Sequence, residues 1–101
     1  MALLALAACS STAKLFDRTP TAVEELEGNY RTLAACTLDR LARQPYRLRR
    51  ADDQNAVRLI PDNGEWEMSF LNQGSLTRLE MKSAGGQASD YAVAIARACA
   101  A

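Results

Sequence analysis

Three cysteines, Cys9, Cys36 and Cys99, are the residues of this chain with the most distinctive chemistry. No two of them have the Cys-x-x-Cys spacing of a redox motif or of half a zinc site. The sequence contains no histidine, which is the commonest general base and metal ligand. These residue types argue against redox and zinc chemistry, and we expect neither a bound metal nor a cofactor.

The first cysteine follows an apolar run. Residues 1–8 read MALLALAA, and Ser10 begins a small and polar stretch. An apolar run that ends in small residues is typical of a secretory signal and its cleavage site. The four residues Leu6-Ala7-Ala8-Cys9 resemble the lipobox of bacterial lipoproteins. In that family a peptidase cleaves before the cysteine, which then carries the lipid anchor.

The resemblance implies a domain organisation and a location. Residues 1–8 would be the signal segment, residues 9–20 a lipid-anchored tether, and residues 21–101 the folded domain. Lipid on Cys9 would hold the protein on a membrane, since several acyl chains on one residue anchor a protein stably. Ser10, in place of an aspartate, resembles the outer-membrane sorting pattern. We therefore expect an outer-membrane lipoprotein whose domain faces the periplasm.

Export would leave Cys36 and Cys99 as the two cysteines of the folded domain. Two cysteines in an exported domain most simply form one disulfide. The chain-entropy model predicts a stabilisation of about 4 kcal/mol for a closed loop of roughly 64 residues. The alternative is a pair of separate buried thiols, which is the expectation for a cytosolic protein.

An arginine cluster is the main candidate for binding a partner. It consists of Arg40, Arg43, Arg47, Arg49 and Arg50, with no acidic residue between the first and the last. Guanidinium groups bind phosphate or carboxylate in bidentate geometry, so we expect an anionic envelope component or an envelope protein as partner. Alternatively, these arginines only complement a helix end and pair with nearby carboxylates. Twelve basic residues balance twelve acidic ones, which argues against a nucleic-acid partner.

Two glutamates two positions apart are the candidates for catalysis. Glu65 and Glu67 would share one face of a strand, and paired carboxylates can hydrolyse glycosidic bonds. The sequence places them among arginines on an open sheet face, without the enclosed site that such chemistry needs. We therefore expect no enzymatic activity.

Two helices are predicted, one at each end of the domain. The first covers residues 21–43, because Thr21-Ala22-Val23-Glu24 fits a capping box and apolar residues then recur at steps of three and four. Pro45 ends it. The second covers residues 89–100, with Ser89 as its cap.

Four runs between these helices alternate polar and apolar residues, as strands with one buried face do. They span residues 46–49, 57–59, 65–70 and 77–82, separated by turn-forming residues at 52–55, 62–64 and 72–74. The order predicts an α+β fold: a two-layer sandwich in which two helices cover one face of a four-stranded antiparallel meander. Trp66, Met68 and Phe70 would face the core. The opposite face would carry Arg47, Arg49, Arg58, Glu65, Glu67, Arg78, Glu80 and Lys82.

Taken together, these features favour a small exported lipoprotein that acts as a non-catalytic binding or accessory module in the cell envelope. Two alternatives remain open. The protein could inhibit an enzyme met in the envelope, such as a lysozyme or a protease, through the turns at 61–64 or 72–75. It could also be a cytosolic domain, which reduced Cys36 and Cys99 in the native protein would favour.

Overall fold

The computed structural model describes residues 19–43, 47–83 and 87–100, which form an α+β fold as the sequence predicts. The elements in chain order are β1 (Ala22–Glu27), α1 (Tyr30–Leu41), β2 (Leu48–Asp53), β3 (Ala56–Pro61), β4 (Trp66–Gln73), β5 (Leu76–Ser83) and α2 (Gln87–Ala100). No helix within these ranges is both long enough and apolar enough to cross a membrane. The expected signal segment 1–8, Cys9 and most of the tether 9–20 lie outside the described residues.

Within the described residues, the sheet has five antiparallel strands in the order β1-β5-β4-β3-β2. β2 to β5 are neighbours in chain order, whereas β1 lies beside β5, where Leu26 is opposite Thr77. The predicted order of a helix, a four-stranded meander and a helix is therefore wrong in one respect. A strand precedes the first helix and adds a fifth member to the sheet.

The single helix predicted over residues 21–43 is thus a strand followed by a shorter helix. Gly28 separates them with a φ of 121°, a backbone conformation that residues with a Cβ atom rarely adopt. The N-cap of α1 is Asn29, whose side-chain oxygen accepts hydrogen bonds from the backbone N–H groups of the next turn. Thr21, the predicted cap, instead donates its hydroxyl proton to the Met81 carbonyl at 3.1 Å.

Each of the four predicted strands is present, with different ends. β2 continues through Asp52 and Asp53, which the sequence analysis assigns to a turn, because two residues suffice to connect β2 to β3. β4 likewise continues through Gln73. The last helix begins at Gln87, so Ser89 lies inside its first turn rather than at its cap.

The core lies between the sheet and the two helices. α1 packs on β3, β4 and β5, while α2 packs on α1, β1 and β5. Trp66, Met68 and Phe70 of β4 are at most 1% exposed, which confirms the predicted inward face of this strand. The other large apolar core residues are Leu26, Tyr30, Leu33, Leu41, Val57, Leu59, Leu79, Met81 and Val93.

An ion pair ties β1 to α2. Arg97 Nε donates to both carboxylate oxygens of Glu24 at 2.8 Å, and Arg97 Nη2 contacts Oε2 of the same carboxylate. The hydrogen bond from Arg97 lowers the pKa of Glu24 below its ordinary value of 4.5. It also raises the pKa of Arg97.

This pair predicts a pH dependence of stability. Because the pKa of Glu24 is lower in the folded chain than in the unfolded chain, its contribution is complete above pH 4.5 and is lost as the pH falls through the folded-state value. We expect Glu24→Gln to lower the melting temperature at neutral pH and to lose this difference in acid. The matched control is Glu27→Gln, since Glu27 is an exposed residue of β1 that lies opposite Leu76. A deficit of Glu24→Gln that stayed constant over the acid range would contradict this assignment.

Candidate functional site

Cys36 of α1 and Cys99 of α2 lie at bonding distance. Their Sγ atoms are 2.10 Å apart and their Cα atoms 6.0 Å apart, and 63 positions separate them in the chain. Both residues are half-buried, beside the contact between the two helices. The structure therefore contains a disulfide-capable pair made of the two cysteines that the sequence analysis selects.

The predicted arginine cluster is divided between the two faces of the sheet. Arg40 and Arg43 are exposed at the end of α1, where their charge complements the helix dipole. Arg47 is exposed just before β2. Arg49 and Arg50 are consecutive residues of β2, so their side chains leave opposite faces of the strand. A partner that contacts Arg49 would therefore lie on the opposite face of the sheet from one that contacts Arg50.

Two members of the arginine cluster form ion pairs within the chain. Arg43 Nη2 lies 3.7 Å from an oxygen of Asp39, and both side chains are about three-quarters exposed. Arg50 Nε donates to Asp52 at 2.7 Å, which raises the pKa of Arg50 and lowers that of Asp52. Exposed pairs of this kind contribute little to stability, so the guanidinium groups can exchange partners at low cost.

The open face is the surface of the sheet opposite the helices. Residues opposite each other in an antiparallel register share a face, so one row across it runs through Ala51, Arg58, Ser69, Glu80 and Val23. The predicted charges on this face are confirmed for Arg49, Arg58, Glu67, Arg78, Glu80 and Lys82. Arg47 and Glu65, also expected there, lie outside the strands.

Ion pairs and opposed charges cover much of the open face. Arg78 Nε donates to Glu80 at 2.8 Å along β5. Between strands, the register places Glu67 opposite Lys82, and Glu25 opposite Arg78. Opposite charges at directly opposed positions stabilise a sheet and select its register.

The centre of the open face is less exposed than the sequence predicts. Glu67 is 5% exposed and Ser69 9% exposed. Arg58 pairs with Asp53 at 3.2 Å, while its Nε atom is buried and has no hydrogen-bond partner in the part of the chain that the structure describes. Glu67 and Ser69 belong to β4, the central strand, so their side chains have neighbours on both sides. The accessible charges of this face therefore lie towards the two edges of the sheet.

The two glutamates considered for catalysis have different surroundings. Glu65 is exposed in the loop before β4, whereas Glu67 is buried within the strand. A groove of about 200 Å³ lies elsewhere, between the β1–β5 edge and the first turn of α2. It is lined by Thr21, Ala22, Met81, Ser83, Ser89, Asp90 and Val93. Its volume is below the roughly 300–1,000 Å³ that is usual for small-molecule sites.

Across residues 19–43, 47–83 and 87–100, no three side chains of the metal-ligating types come together. Asp52 and Asp53, whose types suit a cation, instead face arginines at 2.7 Å and 3.2 Å. Asp52 and Asp53 are thus engaged in ion pairs with arginines.

Comparison with known proteins gives no relative from which a function could be transferred. No protein-family model matches the sequence, and no curated protein and no solved structure is significantly similar to it.

Proposed function

We propose that this chain is an exported bacterial lipoprotein, anchored in the outer membrane through Cys9, whose α+β domain is a non-catalytic binding or accessory module. The observation that carries the proposal is the Cys36–Cys99 pair, with its Sγ atoms at bonding distance. Disulfides persist in oxidising compartments such as the periplasm and are rare in the cytosol. The lipobox-like Leu6-Ala7-Ala8-Cys9 indicates the same location independently.

The accessible surfaces favour a binding role over a catalytic one. The groove of about 200 Å³ is small for a substrate. The open face is instead a broad sheet surface with charges of both signs, and such surfaces select protein partners through complementary charge. Arg49 and Arg50 of the cluster leave opposite faces of β2 at one edge, where Asp52 and Asp53 balance their charge. An envelope protein, or an anionic component of the envelope, is the class of partner that this surface fits.

The length of the tether limits where that partner can be. Residues 9–20 separate the anchor from the domain, and an extended chain spans at most about 3.3–3.6 Å per residue, or roughly 40 Å in all. The domain would therefore work close to the inner surface of the outer membrane. This favours an accessory role beside a membrane-bound complex.

Fractionation of cells that express the protein from its own locus tests the proposed location. We expect the wild-type protein in the outer-membrane fraction and the Cys9→Ser variant outside it, because the variant has no sulfur to lipidate. Ser11→Ala is the matched control, since it lies two residues beyond Cys9 and leaves both the lipobox-like segment and the Cys36–Cys99 pair intact. This control should stay in the membrane fraction. Wild-type protein in the cytosolic fraction would refute the proposal.

A further inference from the structure

β2 is an edge strand, and one side of its backbone faces away from the sheet. The Asp62 N–H donates to the Arg47 carbonyl at 2.9 Å, which extends the ladder between β2 and β3. Directly bonded pairs recur at every second residue of an antiparallel ladder, so residues 49, 51 and 53 turn their backbone groups towards β3. The residues whose backbone groups face outward are Leu48, Arg50 and Asp52.

This edge is accessible from both faces of the sheet. In the sheet, α1 contacts mainly β3, β4 and β5, and α2 contacts mainly β1 and β5, on the far side. The four charged residues of β2 are all exposed, and Ala51 between them is half-buried. A second strand can therefore approach β2 without displacing a helix.

The charges of β2 are arranged symmetrically about Ala51. The sequence is Arg49-Arg50-Ala51-Asp52-Asp53. When two copies of this strand run antiparallel with Ala51 opposite Ala51, every arginine is opposite an aspartate. Arg50 meets Asp52 of the second copy on the helix side, and Arg49 meets Asp53 of the second copy on the open face. Arg49 forms no ion pair with any described residue, so its charge is available for this contact.

The same register satisfies the backbone. Arg50 and Asp52, which would be opposite each other, both turn their N–H and C=O groups outward, as a bonded pair requires. A shift of the register by two residues in either direction also keeps outward-facing backbone groups opposite each other. Such a shift places Arg50 opposite Arg50, or Asp52 opposite Asp52, and like charges directly opposed are unfavourable. Charged residues normally protect an edge strand against pairing. In β2 their order instead permits one register and disfavours its neighbours.

We propose that β2 is a self-association surface through which two copies of this chain form a symmetric dimer. The two five-stranded sheets would join into one continuous antiparallel sheet, with the two-fold axis passing beside Ala51. Attachment of both copies to one membrane would raise their effective concentration and favour the dimer. The pairing itself involves only β2, so it is testable whether or not the chain is lipidated.

Cysteine cross-linking tests the register directly. The two Ala51 residues would form a non-hydrogen-bonded pair with Cα atoms about 4.5 Å apart, which is within the range of a disulfide. In the full chain carrying Cys9→Ser, Ala51→Cys should yield a covalent dimer on mild oxidation. Val23→Cys, exposed on the same face at the opposite edge, is the matched control and should stay monomeric. No cross-link at position 51, or equal cross-linking at both positions, would overturn the proposal.

Charge reversal tests the ion pairs. Two double variants are compared: Arg49→Asp with Arg50→Asp, and Asp52→Arg with Asp53→Arg. In a dimer of either variant, the proposed register would contain four pairs of like charges across the axis. Sedimentation equilibrium should show the dissociation constant of each raised by about tenfold or more, and a mixture of the two should form a heterodimer. Melting temperatures of both variants, measured beside the wild type, check that each one folds. A mixture that does not associate, or single variants that dimerise like the wild type, would contradict the proposed pairing.

Discussion

Reduction of the Cys36–Cys99 bridge is expected to lower the free energy of unfolding by about 4 kcal/mol. The two cysteines are 63 positions apart, so the bond restricts most of the unfolded domain. In a domain of this size each kcal/mol changes the melting temperature by about 4–8 °C, so the expected fall is roughly 15 °C or more. Trp66 is the single tryptophan and is 1% exposed, so its fluorescence reports the transition.

The control for this prediction is the variant with both Cys36→Ala and Cys99→Ala. It should melt near the temperature of the reduced wild type and should not respond to reductant. A melting temperature of the wild type that is the same with and without reductant would show that the two sulfurs are not bonded in the folded protein. That result would also remove the main structural support for an oxidising compartment.

Replacement of Phe70 by alanine is expected to destabilise the fold by about 3–5 kcal/mol. Phe70 is fully buried on the central strand, opposite Val57 on one side and Leu79 on the other. Its removal leaves a cavity that the sheet and helices fill only in part. Denaturant unfolding followed by Trp66 fluorescence measures the loss.

Leu71→Ala is the matched control for Phe70→Ala. Leu71 is the next residue of β4, but its side chain lies half-buried on the open face. We expect this substitution to cost about 1 kcal/mol, the usual effect of a point mutation. Equal losses for the two variants would mean that the open face is packed as tightly as the helix-covered face, contrary to the structure.

The strands β3, β4 and β5 were predictable because one face of each is buried. That constraint imposes the alternation seen in Trp66, Met68 and Phe70, and it appears in the sequence without knowledge of strand order. β1 was not predictable in the same way. Only Leu26 of its six residues is buried, so its alternation is weak and its apolar residues also fit a helix. Pairing with β5 decides its conformation, and the local signal for the break was Gly28-Asn29.

The candidate site was predictable where it depends on residue type. Cys36 and Cys99 are the two cysteines after the lipobox-like segment, so their pairing followed from counting. The burial of Glu67 was not predictable, because it depends on the strands that flank β4. The symmetric charge pattern of β2 was visible in the sequence, but assigning Asp52 and Asp53 to a turn concealed it. This pattern indicates a self-association surface only once β2 is known to be an edge strand.

The central claim is that the chain is exported and lipid-anchored through Cys9. Intact mass spectrometry of the protein expressed from its own locus tests this claim most directly, with Cys9→Ser measured beside it. The predicted result is a mass that lacks residues 1–8 and includes acyl chains, with both changes absent from the variant. An unlipidated wild-type chain that retains Met1 would contradict the claim.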